Sequence, residues 1–350
     1  MVAELARRTT PGGVLKRFAH SVVAGKFYPP HYGHHLLIDS ALGQSERVSV
    51  LLCVRPSDLI AGELRQAWLQ ELHPRAEILL IDDRYDEQDS ALWARNTIAW
   101  LGGAPDAVFA SEAYGAPYAA AMGCVYVLVD PARGTVPCSG SAVRSNCYDN
   151  WQFLAPPIRA WFALRVCVLG AESTGTTTLA QALAAHYQTA WVPEYGREYS
   201  WLKQARGETV WQSAEFVEIA EQQNRLEHAA ARIANRVLIC DTNAFATALW
   251  HRRYLQSESP EVAAVAAQAP SELYLLTGDE IPFVDDGLRD GEAIRQQMHN
   301  WFVAALAAQA VPWLELRGSH SVRLAAAIST IDARVTDTAT LAERMRGVKR

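Results

Sequence analysis

The sequence of 350 residues predicts an α/β fold with two parallel-sheet domains. Short apolar and β-branched runs alternate with longer helical patterns, which is typical of βαβ units. The length exceeds the roughly 250–300 residues at which a single core stops growing. A glycine-bearing turn directly follows an apolar strand once in each half, at residues 25–34 and 170–178.

Hydrophobic periodicity places five strands in each half, with helices between them. In the first half we predict strands over His20–Ala24, Arg47–Val54, Glu77–Asp82, Asp106–Ala110 and Val125–Val129, and helices over Tyr32–Leu42, Ser57–Leu72 and Ser90–Leu101. In the second half we predict strands over Arg165–Leu169, Trp191–Pro193, Arg236–Asp241, Glu272–Leu276 and Pro312–Leu316, and helices over Thr177–Tyr187, Ser213–Ala234, Ala244–Leu255, Gly291–Gln309 and Ser321–Val335.

The boundary between the domains is predicted near Asn150–Ala163, where Ala155-Pro156-Pro157 breaks any helix. We predict a loose leader at 1–17, a first domain at 18–155, a second at 163–336, and a charged tail at 337–350. The acidic and aromatic loop at 82–87 is expected to be solvated. Several tryptophans fit core faces of helices and strands: Trp68, Trp100, Trp250, Trp301 and Trp313.

Composition excludes several classes of protein. The net charge of -6 argues against general nucleic-acid binding, which needs a basic surface. The six cysteines form no CxxC pair and suit free thiols in a reducing compartment. No run of about 18 apolar residues predicts a membrane span, and the N-terminus lacks the apolar core of a signal peptide. We therefore expect a cytoplasmic protein.

The first turn carries two histidines at helical spacing. Gly25-Lys26-Phe27-Tyr28-Pro29-Pro30-His31-Tyr32-Gly33-His34 leads into a predicted helix, whose N-terminus suits phosphate oxygens. His31 and His34 would donate to charge developing on a departing pyrophosphate, and Lys26 would neutralise a triphosphate. Gly25 and Gly33 allow close approach of backbone to ligand. The alternatives are a turn with surface histidines and a metal site, although no Cys or carboxylate has ligand spacing.

A second segment of the first half fits the same chemistry. Ser139 and Ser141 resemble helix N-cap residues, and Arg144 lies about one turn later. Together they would present amides, hydroxyls and a guanidinium to a phosphate chain. Alone, this segment would be a capped helix with a surface arginine.

The second turn has P-loop spacing in the strand-to-helix context that a P-loop requires. Its backbone would cradle phosphates, and Thr177 is placed to ligate Mg²⁺. Thr176 stands where a Walker A loop has its lysine, and losing such a contact costs about 1.5–3 kcal/mol. The predicted ATP-binding residues are Gly170, Glu172, Ser173, Thr174, Gly175, Thr176, Thr177 and Thr178, and the candidate substitutes for the lysine are Arg197, Arg206, Arg289 and Arg295.

On these motifs the sequence resembles the bifunctional nicotinamide mononucleotide adenylyltransferase / ribosylnicotinamide kinase family, from about Val22 to about Asp332. The resemblance implies a Rossmann-like HxGH nucleotidyltransferase followed by a P-loop kinase-like domain, without the helix-turn-helix repressor domain of some members. It implies two reactions of NAD salvage, each using Mg²⁺ and ATP. Nicotinamide riboside is phosphorylated, and nicotinamide mononucleotide is adenylylated to NAD with release of pyrophosphate.

The resemblance also implies roles for residues of the first domain. His31 and His34 would hold the ATP phosphates, with Lys26, Ser139 and Arg144 assisting. Phe27 and Ser141 belong to the same ATP-binding motifs. Trp93 falls near the family's aromatic position beside the nicotinamide ring, and core packing is the alternative for it.

In the second domain the resemblance rests on Val192-Pro193-Glu194-Tyr195-Gly196-Arg197-Glu198, on the strand ending at Asp241, and on a lid-like segment, Ile281–Arg289. Glu194 would be the base near the riboside 5′-hydroxyl, and Asp241 would support Mg²⁺ through water. Arg197 and Arg289 would bind substrate, Arg289 when the lid closes. The alternatives are a surface ion pair for Glu194 and Arg197 and a helix cap for Asp241.

An alternative function also fits the sequence. The protein would be an adenylyltransferase only, and its P-loop domain a nucleotide-binding regulatory or assembly module. Thr176 favours this alternative, as does Asn243, where the family more often has a second acid. The expected partners are ATP, nicotinamide mononucleotide and nicotinamide riboside. We expect no DNA, because the leader is too short for a repressor domain, and no membrane; a homo-oligomer is allowed, and the choice between nicotinamide and nicotinate stays open.

Overall fold

The computed structural model describes residues 16–86, 88–282 and 292–348. The chain divides into two compact units, Met1–Ala155 and Pro156–Arg350. Each unit contains a five-stranded sheet whose paired strands are all parallel. The predicted α/β class with two parallel-sheet domains is therefore confirmed.

The first unit has the strand order β3-β2-β1-β4-β5. Its strands are β1 (Phe18–Gly25), β2 (Ser45–Val54), β3 (Glu77–Asp82), β4 (Ala107–Ala110) and β5 (Val125–Leu128). Its helices are α1 (Tyr32–Gln44), α2 (Gly62–Leu72), α3 (Ser90–Leu101), α4 (Gly115–Met122) and α5 (Gly140–Ser145).

The second unit has the strand order β10-β9-β6-β8-β7. Its strands are β6 (Leu164–Leu169), β7 (Trp191–Val192), β8 (Val237–Asp241), β9 (Leu273–Thr277) and β10 (Trp313–Leu316). Its helices are α6 (Pro156–Phe162), α7 (Thr176–Tyr187), α8 (Tyr195–Ala205), α9 (Ser213–Ala231), α10 (Ala244–Leu255), α11 (Pro260–Ala266), α12 (Glu292–Ala307), α13 (His320–Asp337) and α14 (Leu341–Val348).

In both units the strand that precedes the glycine-bearing turn is the central one. β1 lies between β2 and β4, and β6 lies between β8 and β9. Alternate residues of β1 enter opposite cores: Val23 packs with Ile38 of α1, whereas Val22 packs with Tyr118 of α4. In open α/β sheets, ligands bind outside the carboxyl ends of strands where the order reverses. Both turns lie at such an edge.

The structure has three helices that were not predicted, α4, α8 and α11, and it differs from the sequence prediction at three further places. α6 begins at Pro156, where we predicted a break, because the first helical position needs no amide donor. α2 begins at Gly62 rather than at Ser57, because Asp58 accepts a hydrogen bond from the Arg55 amide and closes a turn.

The third difference is at the C-terminus. The prediction of a charged tail is wrong over Leu341–Val348, which forms α14. Arg344 is buried there and forms an ion pair with Glu272. Among the described residues, no helix is long and apolar enough to cross a membrane.

Candidate active sites

The histidines of the first turn cap α1 with their own side chains. His31 is the N-cap, and its Nδ1 accepts a hydrogen bond from the Gly33 amide at 3.1 Å. The Nδ1 of His34 in turn accepts from the His31 amide at 3.3 Å. A neutral imidazole that accepts at Nδ1 carries its proton on Nε2. The hydrogen bonds at the start of α1 therefore leave both imidazoles with an Nε2–H group that can donate to a ligand.

Both imidazoles are neutral donors rather than cations near pH 7. Burial, followed by the charge of Arg133, lowers the pKa of His31 to about 4. Burial, followed by the charge of His31, lowers the pKa of His34 well below its usual range. The ring centroids are 3.9 Å apart, so the two donors serve a single ligand site.

Two positions of the first site have no room for a side chain larger than that of glycine. A Cβ at Gly33 would lie 2.9 Å from Cε1 of His31. A Cβ at Gly140 would lie 2.8 Å from the Tyr28 carbonyl oxygen. At Gly25 the nearest atom, in the Phe27 ring, is 3.4 Å away, so this glycine is less constrained.

The Ser139–Arg144 segment meets the first turn, as its chemistry required. Ser139 caps α5 by accepting from the Ala142 amide at 3.1 Å. Arg144 donates from Nη1 to the Tyr28 carbonyl at 2.6 Å and from Nη2 to the Ser141 hydroxyl at 3.1 Å. The guanidinium is thereby held beside the histidine turn.

These residues line one cavity of about 740 Å³ in the first unit. All the residues predicted for the first half are in its wall: Gly25, Lys26, Phe27, His31, Gly33, His34, Trp93, Ser139, Ser141 and Arg144. The Trp93 ring lies 5.6 Å from that of Tyr85 and 6.0 Å from that of Trp100. Trp93 therefore fits both of the roles considered for it, cavity wall and aromatic packing.

Several residues of this wall were missed, among them three with charged side chains that shape it. The 82–87 loop was predicted to be solvated, which is wrong for Asp83, because its carboxylate is buried and pairs with Arg55 at 2.7 Å. Arg133 adds a guanidinium to the cavity, and Asp130 accepts backbone amides at 134–136 that shape its loop. The sequence signal was the aspartate-proline-x-arginine-glycine turn after β5.

The second turn has P-loop geometry. Gly175 has φ 85° and Ser173 has φ 59°. A Cβ at Gly170 would collide with the hydroxyls of Thr174 and Thr277. The Thr174 hydroxyl donates to the Ala171 carbonyl at 2.7 Å, so this side chain braces the loop and offers only backbone to a ligand.

A second cavity of about 110 Å³ lies against this loop. Its wall includes these predicted residues: Gly170, Glu172, Ser173, Thr176, Glu194, Arg197 and Asp241. The other predicted residues of this loop are not part of the wall, and one of them, Thr178, is exposed: Thr174, Gly175, Thr177 and Thr178.

Asp241 ends β8 and accepts hydrogen bonds from both threonines of the P-loop. The Thr177 hydroxyl lies 2.5 Å from its Oδ2, and the Thr176 hydroxyl also donates to it. Burial raises the pKa of Asp241, although these hydroxyls and Arg197 oppose the shift. The following helix is capped by Asn243 instead, so the helix-cap alternative for Asp241 is wrong.

Asn243 faces the protein interior. Its amide donates to the Ser271 hydroxyl at 3.1 Å and to the Tyr274 hydroxyl at 3.3 Å, and it is not part of the cavity wall. The departure from a second acid at this position therefore removes no group from the described site.

Glu194 is poised to change its protonation near neutrality. It precedes α8, and burial, followed by the charge of Asp241, raises its pKa to about 7. Arg197 lies one turn later, with its Nε 3.7 Å from the Glu194 carboxylate. Both side chains are in the cavity wall, so their ion pair lies inside the site.

Of the candidate substitutes for the missing lysine, Arg197 lies in the cavity wall. Arg206 is exposed at the end of α8. Arg295 is buried and donates to the Ile281 carbonyl at 2.5 Å. Arg289, with the lid-like segment from Phe283 onward, lies outside the described residues.

An aromatic wall of the second cavity was missed by the sequence reasoning. The ring of Trp211 lies 5.0 Å from that of Phe216 and 5.2 Å from that of Tyr254. Trp250, for which the sequence predicts a core face, also lines the cavity. Periodicity finds the apolar faces of α9 and α10, but it cannot tell a core face from a ligand pocket.

Comparison with known proteins finds similarity over most of the chain. The AAA domain family matches residues 165–323. The trifunctional NAD biosynthesis/regulator protein NadR of Escherichia coli K12 is 28% identical over 312 residues, covering 81% of this chain and 75% of that protein. NadR of Salmonella typhimurium is 28% identical over the same shares.

Two solved structures share the fold over nearly the whole chain. A NadR protein in complex with NAD and AMP-PNP has a TM-score of 0.70 and 17% identity, covering 93% of this chain and 98% of that one. A NadR protein in complex with NR has a TM-score of 0.73 and 20% identity, covering 91% and 96%. In sequence and in fold this chain is therefore similar to NadR over most of its length, in agreement with the family resemblance of its motifs.

Proposed function

We propose that this protein is an NAD salvage enzyme with two activities. Residues 18–155 would transfer an adenylyl group from ATP to nicotinamide mononucleotide, giving NAD and pyrophosphate. Residues 163–336 would phosphorylate nicotinamide riboside with ATP. The observation that carries the proposal is that each unit collects a phosphate cradle and its reactive side chains in one cavity. The solved relatives with NAD, AMP-PNP and NR support it.

In the first reaction a phosphate oxygen of the mononucleotide attacks the α-phosphorus of ATP, and the bond from that phosphorus to pyrophosphate breaks. No side chain needs to act as nucleophile. The Nε2–H donors of His31 and His34 would follow the charge onto the departing pyrophosphate. Lys26, Arg133 and Arg144 line the same cavity and would neutralise the phosphates of both substrates.

In the second reaction the riboside 5′-hydroxyl attacks the γ-phosphorus of ATP, and ADP leaves. Glu194 would accept the hydroxyl proton, for which a pKa of about 7 is well matched. Mg²⁺ fits the oxygen pair formed by the Thr177 hydroxyl and the Asp241 carboxylate, because hard oxygen ligands are those it prefers. When bound, it would neutralise charge on the ATP phosphates.

The remaining wall of the second cavity suits a cationic ring. Glu172, Glu194 and Asp241 surround the site, and Arg197 is the one lysine or arginine among its described lining residues. The pyridinium of nicotinamide riboside carries a positive charge, which aromatic faces attract. The cluster of Trp211, Phe216, Trp250 and Tyr254 offers such faces, and we propose it as the pyridinium site.

The decisive experiment incubates the protein with nicotinamide riboside, ATP and Mg²⁺ and measures the mononucleotide and NAD by chromatography. We expect both products. A parallel incubation with the mononucleotide tests adenylylation alone. If NAD forms from the mononucleotide while the riboside is unchanged, the second unit is a nucleotide-binding module, the alternative that Thr176 favours.

A further inference from the structure

Each phosphate cradle is held from behind by a buried arginine. Arg65 of α2 is fully buried and donates from Nη1 to the Lys26 carbonyl at 2.7 Å. Arg323 of α13 is 4% exposed and donates from Nη1 to the Thr174 carbonyl at 2.8 Å. Neither belongs to a cavity wall, so each acts on its site through backbone.

The two arginines hold the same kind of peptide. The carbonyl that each one binds directly precedes a residue in the left-handed region, Phe27 with φ 46° in the first turn and Gly175 with φ 85° in the second. The left-handed conformation is costly for phenylalanine. In a planar trans peptide the carbonyl and the next amide point in opposite directions. Fixing the carbonyl therefore fixes the amide of Phe27 or Gly175.

A carboxylate backs each arginine. Asp58 pairs with Nη2 of Arg65 at 2.7 Å, and Glu280 pairs with Nη2 of Arg323 at 2.7 Å. Although partial burial favours the neutral acid, the hydrogen bond from Arg323 lowers the pKa of Glu280. A buried ion pair is often no more stabilising than a packed apolar group, so stability alone does not explain two such pairs.

We propose that Arg65 and Arg323 are positioning residues that hold the left-handed peptide of each cradle, and so its amides, in the phosphate-binding orientation. For both units this rests on the proposed function. The inference predicts that each arginine controls the ATP affinity of its own unit and leaves that of the other unaffected.

The test compares Arg65→Met and Arg323→Met in the full chain, with both reactions assayed on each variant. Arg65→Met should raise the KM for ATP in adenylylation about 10- to 100-fold, the size expected for losing a charge-assisted hydrogen bond. Riboside phosphorylation by the same sample should change less than about twofold, which shows that the second unit is intact, and the thermal midpoint reports on the fold of the first. Arg323→Met should give the converse result.

Arg344→Met is the matched control for loss of a buried arginine. Arg344 is also 4% exposed, and it donates to the carbonyls of Trp161 and Ala163 at 3.2 Å and pairs with Glu272, outside both cavity walls. Its loss should lower the thermal midpoint and leave both KM values unchanged. Arg65→Lys and Arg323→Lys keep the charge but not the fork, and should recover part of the affinity.

Calorimetric titration with Mg·ADP gives a readout independent of turnover. The wild type should show two sites, and each Met variant should weaken a different one. Unchanged affinity in both Met variants, or an equal loss of both activities that tracks the thermal midpoint as in Arg344→Met, would overturn the inference. A wild type that binds Mg·ADP twice but makes no mononucleotide would contradict the proposed kinase activity alone, and the Arg323→Met titration would still decide the inference.

Discussion

The two phosphate-binding turns have similar backbone surroundings, but the charged side chains around them differ. Among the described residues, the wall of the first cavity has three cations, Lys26, Arg133 and Arg144, and three carboxylates: Asp83, Glu112 and Asp130. The described wall of the second cavity has Arg197 against three carboxylates: Glu172, Glu194 and Asp241. Both turns follow the central strand of a parallel sheet, so the difference lies in side chains rather than in fold.

This difference follows the charges of the proposed substrates. Adenylylation joins two phosphate-bearing molecules, and a balanced set of cations lowers their mutual repulsion. Riboside phosphorylation transfers the γ-phosphoryl group of one triphosphate to the 5′-hydroxyl of a nucleoside whose ring is cationic, and it needs Mg²⁺ and a base as well. A cavity with one cation against three carboxylates suits the second pairing, and its excess of negative charge would repel the two phosphate-bearing substrates of the first. The comparison thus predicts that the two reactions respond differently to the same perturbation.

Glu194→Gln should produce the largest loss and confine it to the second unit. The amide cannot accept the hydroxyl proton, so kcat for riboside phosphorylation should fall about 10²–10⁴-fold. Adenylylation should be unchanged. Product formation is measured for both reactions in one preparation, with Glu198→Gln as the control, because Glu198 is exposed on the same helix and outside the cavity wall. A loss below about fivefold would remove Glu194 from the role of base.

His34→Ala should give the mirror result in the first unit. Removing one transition-state donor should lower kcat for adenylylation about 10²–10³-fold and leave phosphorylation unchanged. NAD formation from the mononucleotide measures it. His20→Ala is the control, because His20 lies in the same unit, bonds Ser49 at 2.9 Å and is outside the cavity wall. Equal turnover of the two variants would exclude His34 from the site.

The two reactions should also differ in their pH dependence, by a smaller factor than the two substitutions produce. With its pKa raised to about 7, Glu194 is protonated at pH 6 and ionised at pH 8. As a base it works only when ionised, so kcat/KM for phosphorylation should rise about tenfold over this range. With a pKa of about 4, His31 stays neutral throughout. Adenylylation should change about twofold at most, because the substrate phosphate has a second pKa near 6.

Initial rates at saturating Mg²⁺ from pH 6 to pH 8 test this prediction. The slope for phosphorylation should disappear in Glu194→Gln. A flat pH profile for phosphorylation by the wild type would contradict the role of Glu194 as base. A steep profile for adenylylation would contradict the role of His31 as a neutral donor.

The sequence predicted what local pattern controls. All ten strands lie within two residues of their predicted ends, because apolar runs between breakers define them. The histidine turn and the P-loop were identified from contiguous motifs. The Thr177–Asp241 pair could be expected once both were placed at strand ends, where neighbouring strands of a parallel sheet bring their side chains together.

What the sequence could not show depends on distant contacts. Arg65 is 39 residues from Lys26, and Arg323 is 149 residues from Thr174. Each looks like an ordinary helical arginine until the helix is packed. The same holds for Asp83, which belongs to a charged loop in the sequence and is shown only by the fold to be buried beside Arg55 in the cavity wall. Hydrophobic periodicity predicts which residues are buried, but it does not predict which loop a buried polar side chain will contact.

Thr176→Lys should have the smallest effect. It tests which group of the second cradle replaces the Walker A lysine in binding the phosphates. The ammonium would add a charge-assisted contact of about 1.5–3 kcal/mol to the phosphates, while the hydroxyl donation to Asp241, worth about 0.5–1.5 kcal/mol, is lost. The net gain of about 1 kcal/mol predicts a roughly fivefold rise in kcat/KM for ATP in phosphorylation.

Thr178→Lys is the control, because it adds the same charge two residues later at an exposed position outside the cavity wall. If Thr176→Lys alone raises kcat/KM, Arg197 only partly replaces the lysine. If Thr176→Lys lowers it while Thr178→Lys has no effect, the guanidinium already holds the phosphates where an ammonium would lie. The ion pair of Arg197 with Glu194 at 3.7 Å would then couple the cation of this cradle directly to its base.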